Sequence, residues 1–202
     1  MRRLLLATTN PGKLREIRAL LADVPVELVS LTDLPAIPEP EETGATFEEN
    51  ARLKALYYAG HTTLLTLADD SGLVIDALDG EPGVRSARFL GEDASYPERF
   101  AEILRRLAAM PGAPRTARFV CAVAAARGAR IVHETNGTIE GEIAPAPRGS
   151  EGFGYDPIFH YAPYGRTLAE VDQEDKLRVA HRGRAFRAMR DWLLAEGLTR
   201  EA

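Results

Sequence analysis

The chain has 202 residues, 45% of them hydrophobic and 27% charged, which is enough for one sizeable core and short for two independent ones; no apolar run approaches the ~20 residues that span a bilayer. A net charge of -5 excludes general attraction to nucleic acid or to an anionic membrane, so an anionic ligand must be met by a local cluster of cations. A single cysteine, Cys121, excludes an internal disulfide and a cysteine-based zinc site, and reads as a core residue.

The opening MRRLLLATTN lacks the apolar length and cleavage site of a signal peptide, so a cytoplasmic protein is expected. Within it, RLLLAT (Arg3 to Thr8) is an apolar run of strand length. In the following NPGKLREIRALLADV, Leu14, Ile17, Leu20 and Leu21 recur at helical spacing. Asn10 suits the N-cap and Pro11 the first helical position. A strand therefore feeds a helix N-terminus whose free amides, with Lys13 in the first turn, can face an anion. The GxxxxGK[ST] pattern is absent, which removes the main support for an ordinary ATPase or GTPase.

VELVSL predicts a second strand, and the proline- and acid-rich PAIPEPEETGATFEEN a loop that enters a helix, with Thr46 and Glu49 spaced as a capping box. Asn50 and Lys54 lie one helical turn apart on one face, beside a stripe of Phe47, Ala51, Ala55 and Tyr58. LLTLADD predicts a strand whose carboxyl end carries Asp69 and Asp70. Neighbouring strand residues point to opposite faces, so only one of the pair is expected to face a ligand. A tight turn at Asp79 to Gly83, an amphipathic helix over YPERFAEILRRLAAM, and two long strands joined at Arg127-Gly128 follow. APAPRGSEGFGYDP is a loop, and KLRVAHRGRAFRAMRDWLLAEG predicts one C-terminal helix burying Phe186, Met189 and Trp192 or Leu193. Arginine dominates the basic residues, and only Lys13, Lys54 and Lys176 are lysine. These compact, rotatable ammonium groups are candidates for a phosphate site.

Taken in order, TTNPGK, TGATFEENARLKA, LADDSGLVIDALDGEPGVRSARF, GFGYDPIF and the EDK...HRGRA end resemble the inosine triphosphate pyrophosphatase family, over roughly Arg3 to Leu193. The resemblance implies an α/β fold with a long twisted mixed sheet flanked by helices, two lobes and a central cleft. It implies a single two-lobed nucleotide pyrophosphatase domain over residues 1–202, working as a homodimer. The implied activity is Mg²⁺-dependent hydrolysis of non-canonical purine nucleoside triphosphates such as ITP, dITP and XTP to the monophosphate and pyrophosphate, which cleanses the nucleotide pool. By the same resemblance Thr8, Thr9, Asn10, Pro11, Gly12 and Lys13 form the triphosphate loop, and Ser71 contacts substrate. Asp70 is the catalytic base and a metal ligand, with Lys54 beside it. Glu42 is the second acidic ligand, with the adjacent Glu41 as the other possible register. Phe153, Gly154, Tyr155 and Asp156 resemble the base-binding loop, which Lys176, His181 and Arg182 complete. Ala180 stands where this family usually has Ser.

Physical chemistry is consistent with these assignments. A triphosphate is most simply neutralised by a hard cation and ammonium groups, and a carboxylate can take a proton from attacking water. On this view Asp70 faces substrate while Asp69 points away and serves a turn, Tyr155 stacks on the purine, and donors near His181 and Arg182 meet its O6. A non-enzymatic nucleotide-binding protein would need the basic loop but not the acidic pair. A Maf-type pyrophosphatase would share fold and reaction, and a substrate panel separates it.

Overall fold

The computed structural model describes residues 2–197. Its strands are β1 (Arg2–Leu6), β2 (Val26–Ser30), β3 (Leu65–Ile75), β4 (Thr116–Arg127), β5 (Arg130–Ile143), β6 (Phe159–Tyr161) and β7 (Arg166–Thr167). They form a seven-stranded sheet in the order β2-β1-β3-β4-β5-β6-β7. The sheet is mixed: β1 is parallel to β2 and β3, whereas β6 is antiparallel to β5 and β7. The helices are α1 (Pro11–Leu20), α2 (Phe47–Ala59), α3 (Tyr96–Ala108), α4 (Gln173–Val179) and α5 (His181–Trp192).

The chain divides into two compact units, one made of Met1–Asp70, Cys121–Gly137 and His181–Ala202, the other of Ser71–Val120 and Thr138–Ala180. In the first unit Leu4, Leu5 and Leu6 are all buried, as a parallel strand covered on both faces requires. Leu4 and Leu6 pack with Ile17 and Leu21 of α1, Leu65 and Leu67 of β3, Cys121 and Val123 of β4, and Phe186 and Met189 of α5. Asn10 caps α1 by accepting from the Lys13 amide at 3.1 Å, and Pro11 opens the helix, both as expected. Thr46 caps α2 through the Glu49 amide, but the Glu49 carboxylate reaches past the cap to the Ala45 amide at 2.6 Å. The second unit has its own core, in which Leu73 and Ile75 meet Phe100 and Ile103 of α3, Phe119, Ile139 and Phe159.

Two expectations change. β3 does not end at the aspartates: it runs unbroken through Asp69 and Asp70 to Ile75, so neither carboxylate serves a turn. The polar pair is tolerated mid-strand because both side chains find buried partners, described below. The C-terminal segment is two helices, because Ala180 leaves the helical region (φ -65°, ψ 156°) and ends α4. Phe186, Met189 and Leu193 are buried, while Trp192 is half-buried and stacks on His133 with ring centroids 4.5 Å apart.

α5 lies directly on β5 at Gly137, where a Cβ would come within 2.3 Å of the His181 carbonyl and 2.7 Å of the Ala185 amide. Thr135, two residues earlier on the same face of the strand, donates its hydroxyl to the Ala185 carbonyl at 3.0 Å. Both close contacts are with backbone and cannot rotate away. Gly137→Ala is expected to cost about 1–3 kcal/mol, the usual range for overpacking, read as a lowered midpoint in urea with unchanged m-value.

Candidate active site

Two successive residues of β3 build the polar heart of the first unit. Because strand side chains alternate, Asp69 and Asp70 meet different partners. Asp69, with no side-chain exposure, lies 2.9 Å from the Lys13 ammonium and 3.7 Å from the Arg182 guanidinium. Arg182 is in turn 2.7 Å from the buried carboxylate of Glu16 on α1. The Cys121 thiol, whose pKa burial pushes up, sits 3.9 Å from Asp69.

Asp70 is met by α2. Lys54 Nζ is 3.2 Å from its Oδ1, and Asn50 Nδ2 donates to its Oδ2 at 3.2 Å. The predicted shared face of Asn50 and Lys54 is therefore turned onto a single carboxylate. Lys54 also donates to Glu42 at 2.5 Å, while Asn50 Oδ1 accepts from the Gly44 amide at 2.8 Å. One asparagine thus ties the acidic loop and Asp70 to the same helix. Glu42 is the acid that joins this group, and Glu41 is exposed.

The two aspartates differ in charge as they do in direction. Burial pushes both upward. For Asp69 the charges of Lys13, Arg182 and Lys54 override it and hold the carboxyl well below the ordinary carboxylate range. For Asp70 burial outweighs Lys54 and Lys13, Glu42 adds to the rise, and the carboxyl lies above its ordinary value. Burial opposes the Lys54 ammonium too, but Asp70, Asp69 and Glu42 more than offset it, so its pKa is raised. A permanently ionised neighbour beside a carboxyl shifted the other way is the arrangement that separates an electrostatic anchor from a proton acceptor.

The triphosphate-loop residues occupy the β1–α1 connection. Thr8 accepts from the Asn10 amide at 3.2 Å, Thr9, Asn10 and Pro11 are exposed, and Gly12 is buried at the start of α1. Lys13 is half-buried and held by Asp69. His181 is buried as the first residue of α5. Arg182 is buried, and its guanidinium meets the carboxylates of Glu16 and Asp69.

In the second unit, Lys176 on α4 donates to Asp156 at 2.6 Å and lies over the Phe153 ring, 4.8 Å from its centroid. Asp156 also accepts from the Phe153 amide at 2.8 Å, so one carboxylate shapes the turn through Gly154. Ser71 is half-buried on β3. Tyr155 is a correction. Its ring is 3% exposed, packs edge-on against Tyr96 at 5.3 Å, and its hydroxyl donates to the Ser86 carbonyl at 2.8 Å. It is a core residue and leaves Phe153 as the half-buried ring of the loop. Each of the three lysines is paired with a carboxylate: Lys13 with Asp69, Lys54 with Glu42 and Asp70, Lys176 with Asp156.

Asn50 and Glu16 complete the first group without having been assigned to a site from sequence. Asn50 had a signal in its spacing from Lys54. Glu16 had only its place beside Ile17 on the buried face of α1.

Residues 4–192 match the model of the Ham1 family. A protein of Geobacter sulfurreducens named dITP/XTP pyrophosphatase is 49% identical over 98% of this chain and all of its own length. One of the same name from Geobacillus kaustophilus is 48% identical over 92% of this chain and 91% of its own. The structure of a HAM1 protein from Coxiella burnetii superposes with a TM-score of 0.89 at 41% identity, covering 96% of this chain and 100% of that one.

Asp69→Asn removes the counter-ion of Lys13 and Arg182 in a fully buried setting. The expected loss is about 3–5 kcal/mol, the range for breaking a buried pair from one side, whereas Asp70→Asn, with burial already favouring a neutral side chain there, is expected to retain wild-type stability. Urea unfolding of the two variants in parallel checks the contrast.

Proposed function

We propose that this chain, which belongs to the Ham1 family, is a nucleoside triphosphate pyrophosphohydrolase that converts dITP, XTP and ITP to the monophosphate and pyrophosphate. Support comes from the full-length relatives named dITP/XTP pyrophosphatase. The observation that carries the chemistry is Asp70, buried, shifted upward, and gripped by Lys54 and Asn50 from one helix face.

In the proposed reaction water attacks the α-phosphorus, the bond from that phosphorus to the bridging oxygen of the β-phosphate breaks, and pyrophosphate leaves. Asp70 is assigned as acceptor for the proton of the attacking water. Lys54 orients Asp70 and stabilises charge developing on the phosphates, as positioned ammonium groups do. Thr8 to Lys13 and the first amides of α1 receive the phosphate chain, with Asp69 holding Lys13 in place. Phe153, Gly154 and Asp156 with Lys176 are assigned to the purine, Phe153 rather than Tyr155 supplying the ring. Ser71 and His181 remain assigned to substrate on the strength of the motif match alone.

Mg²⁺ is the cofactor proposed, and the donors suit it. Glu42 and Asp70 offer carboxylate oxygens around one ammonium, and no group of three His, Cys, Asp or Glu side chains converges among the described residues. One or two carboxylates, completed by water and substrate phosphates, is the set that Mg²⁺ prefers over an all-protein cage. Bound there it would neutralise triphosphate charge and polarise the phosphoryl oxygens. The two units are proposed to act as one enzyme domain, since the family match runs through both. A cytoplasmic homodimer is proposed from the motif resemblance; no helix among the described residues is long and apolar enough to cross a membrane.

A panel of dITP, XTP, ITP, ATP, GTP and dTTP, assayed for pyrophosphate release, tests the assignment. The first three are expected to be preferred over ATP and GTP by up to ~10⁴ in kcat/KM, the reach of a buried polar mismatch, with activity lost in EDTA and restored by Mg²⁺. In ¹⁸O-labelled water the label should enter the monophosphate; release of inorganic phosphate and a nucleoside diphosphate would refute the bond choice.

Asp70→Asn should lower kcat by at least ~10², the low end of a general-base contribution, in protein whose urea midpoint matches wild type. Retention of activity would reassign the proton acceptor.

A further inference from the structure

The segment leading into Phe153 is rich in glycine and proline, yet it is fastened to the second unit at successive points. The Arg148 amide donates to the Pro157 carbonyl at 2.9 Å, and the Glu151 amide to the Ala169 carbonyl at 3.0 Å. Gly149, at φ +79°, runs so close to Ala169 that a Cβ would stand 2.0 Å from its carbonyl oxygen. The remaining tie comes from a side chain. Thr167 on β7, 1% exposed, donates its hydroxyl to the Arg148 carbonyl at 2.9 Å.

Thr167 can do this because its own position is held. Its hydroxyl accepts from the Glu170 amide in a capping box, and the Glu170 carboxylate accepts the Thr167 amide at 2.8 Å. That contact holds Glu170 below its ordinary pKa, so the acceptor stays ionised. The hydroxyl has one proton, and the Arg148 carbonyl takes it at a shorter distance than the 3.2 Å to the Glu170 carboxylate. With residues 148 to 151 anchored upstream and Asp156 closing the turn downstream through the Phe153 amide and Lys176, the stretch from Gly152 to Tyr155 is held at both ends.

We propose that Thr167 is a positioning residue for purine recognition: its hydroxyl sets the height at which Phe153 and Lys176 are presented. The inference rests on the reading of Phe153 to Asp156 as the base-binding loop. Because the loop addresses the part of the substrate remote from the broken bond, loosening it weakens ground and transition states alike and falls on KM rather than kcat.

Thr167→Val keeps the shape and removes the donor. It is expected to raise KM for XTP about fivefold, the worth of one net hydrogen bond, with kcat little changed and Thr167→Ser restoring the wild-type KM. Inorganic tripolyphosphate, which has no base, should inhibit the variant and the wild type with the same Ki. A wild-type KM in Thr167→Val, or an equal rise in the tripolyphosphate Ki, overturns the proposal, the latter by showing a general defect. Phe153→Ala separates the two levels: if it leaves KM for XTP unchanged, the base-loop reading falls and Thr167 with it. If it raises KM while Thr167→Val does not, only the positioning role falls. Should the valine variant not fold, Thr167→Ala is read in the same way.

Discussion

A carboxylate with no exposure must be paired or protonated, and Asp69 is paired from two directions, by Lys13 at 2.9 Å and Arg182 at 3.7 Å. Desolvating an anion costs several kcal/mol unless such partners are supplied. The partners come from the first turn of α1 and the first turn of α5, so meeting that demand also sets where both helices begin relative to β3. Glu16, one turn further along α1, balances the second charge on Arg182. The result is a row of charges of alternating sign, Lys13, Asp69, Arg182 and Glu16, in which the two central members each have an opposite charge on either side.

The neighbour of Asp69 inherits a different environment from the alternation of the strand. Asp70 faces α2 and finds one ammonium that it must share with Glu42, plus a neutral amide. Burial is what raises its pKa, because Lys54 and Lys13 do not offset it and Glu42 adds to the rise, whereas at Asp69 the charges of Lys13, Arg182 and Lys54 outweigh burial and the pKa falls. Opposite chemistry one residue apart requires only that the two faces of the strand be furnished differently.

The second unit pairs a buried lysine with a carboxylate as well, for another purpose. Asp156 accepts from both Lys176 and the Phe153 amide, so the ion pair shapes a turn and sets an ammonium over an aromatic ring. Here the pair orients groups that are rich in glycine and would otherwise be loose. The scarcity of lysine in the chain thus corresponds to three shielded ion pairs, where a compact head on a long stem fits between buried oxygens.

Much of this was legible in the residues alone. Asn10 and Pro11 announced the start of α1, and Thr46 the start of α2, because capping chemistry is local and is decided by the residue that carries it. The four-residue step from Asn50 to Lys54 placed both on one helix face, and the adjacency of Asp69 and Asp70 on a strand placed them on opposite ones. The motifs in order identified the family. What the sequence could not decide was how each polar group would be satisfied. Asp-Asp-Ser-Gly has the local chemistry of a turn, and it remains strand because Lys13, Arg182, Lys54 and Asn50, distant along the chain, supply what a turn would have obtained from water. Tyr155 reads as an exposed ring among glycines until Tyr96 and the Ser86 carbonyl enclose it. Glu16 gave no local sign of its role, since its partner Arg182 is 166 residues away. Helix caps and face periodicity are local free-energy choices that a sequence states directly; the partners of buried charges are chosen by packing, and only the tertiary structure brings them together.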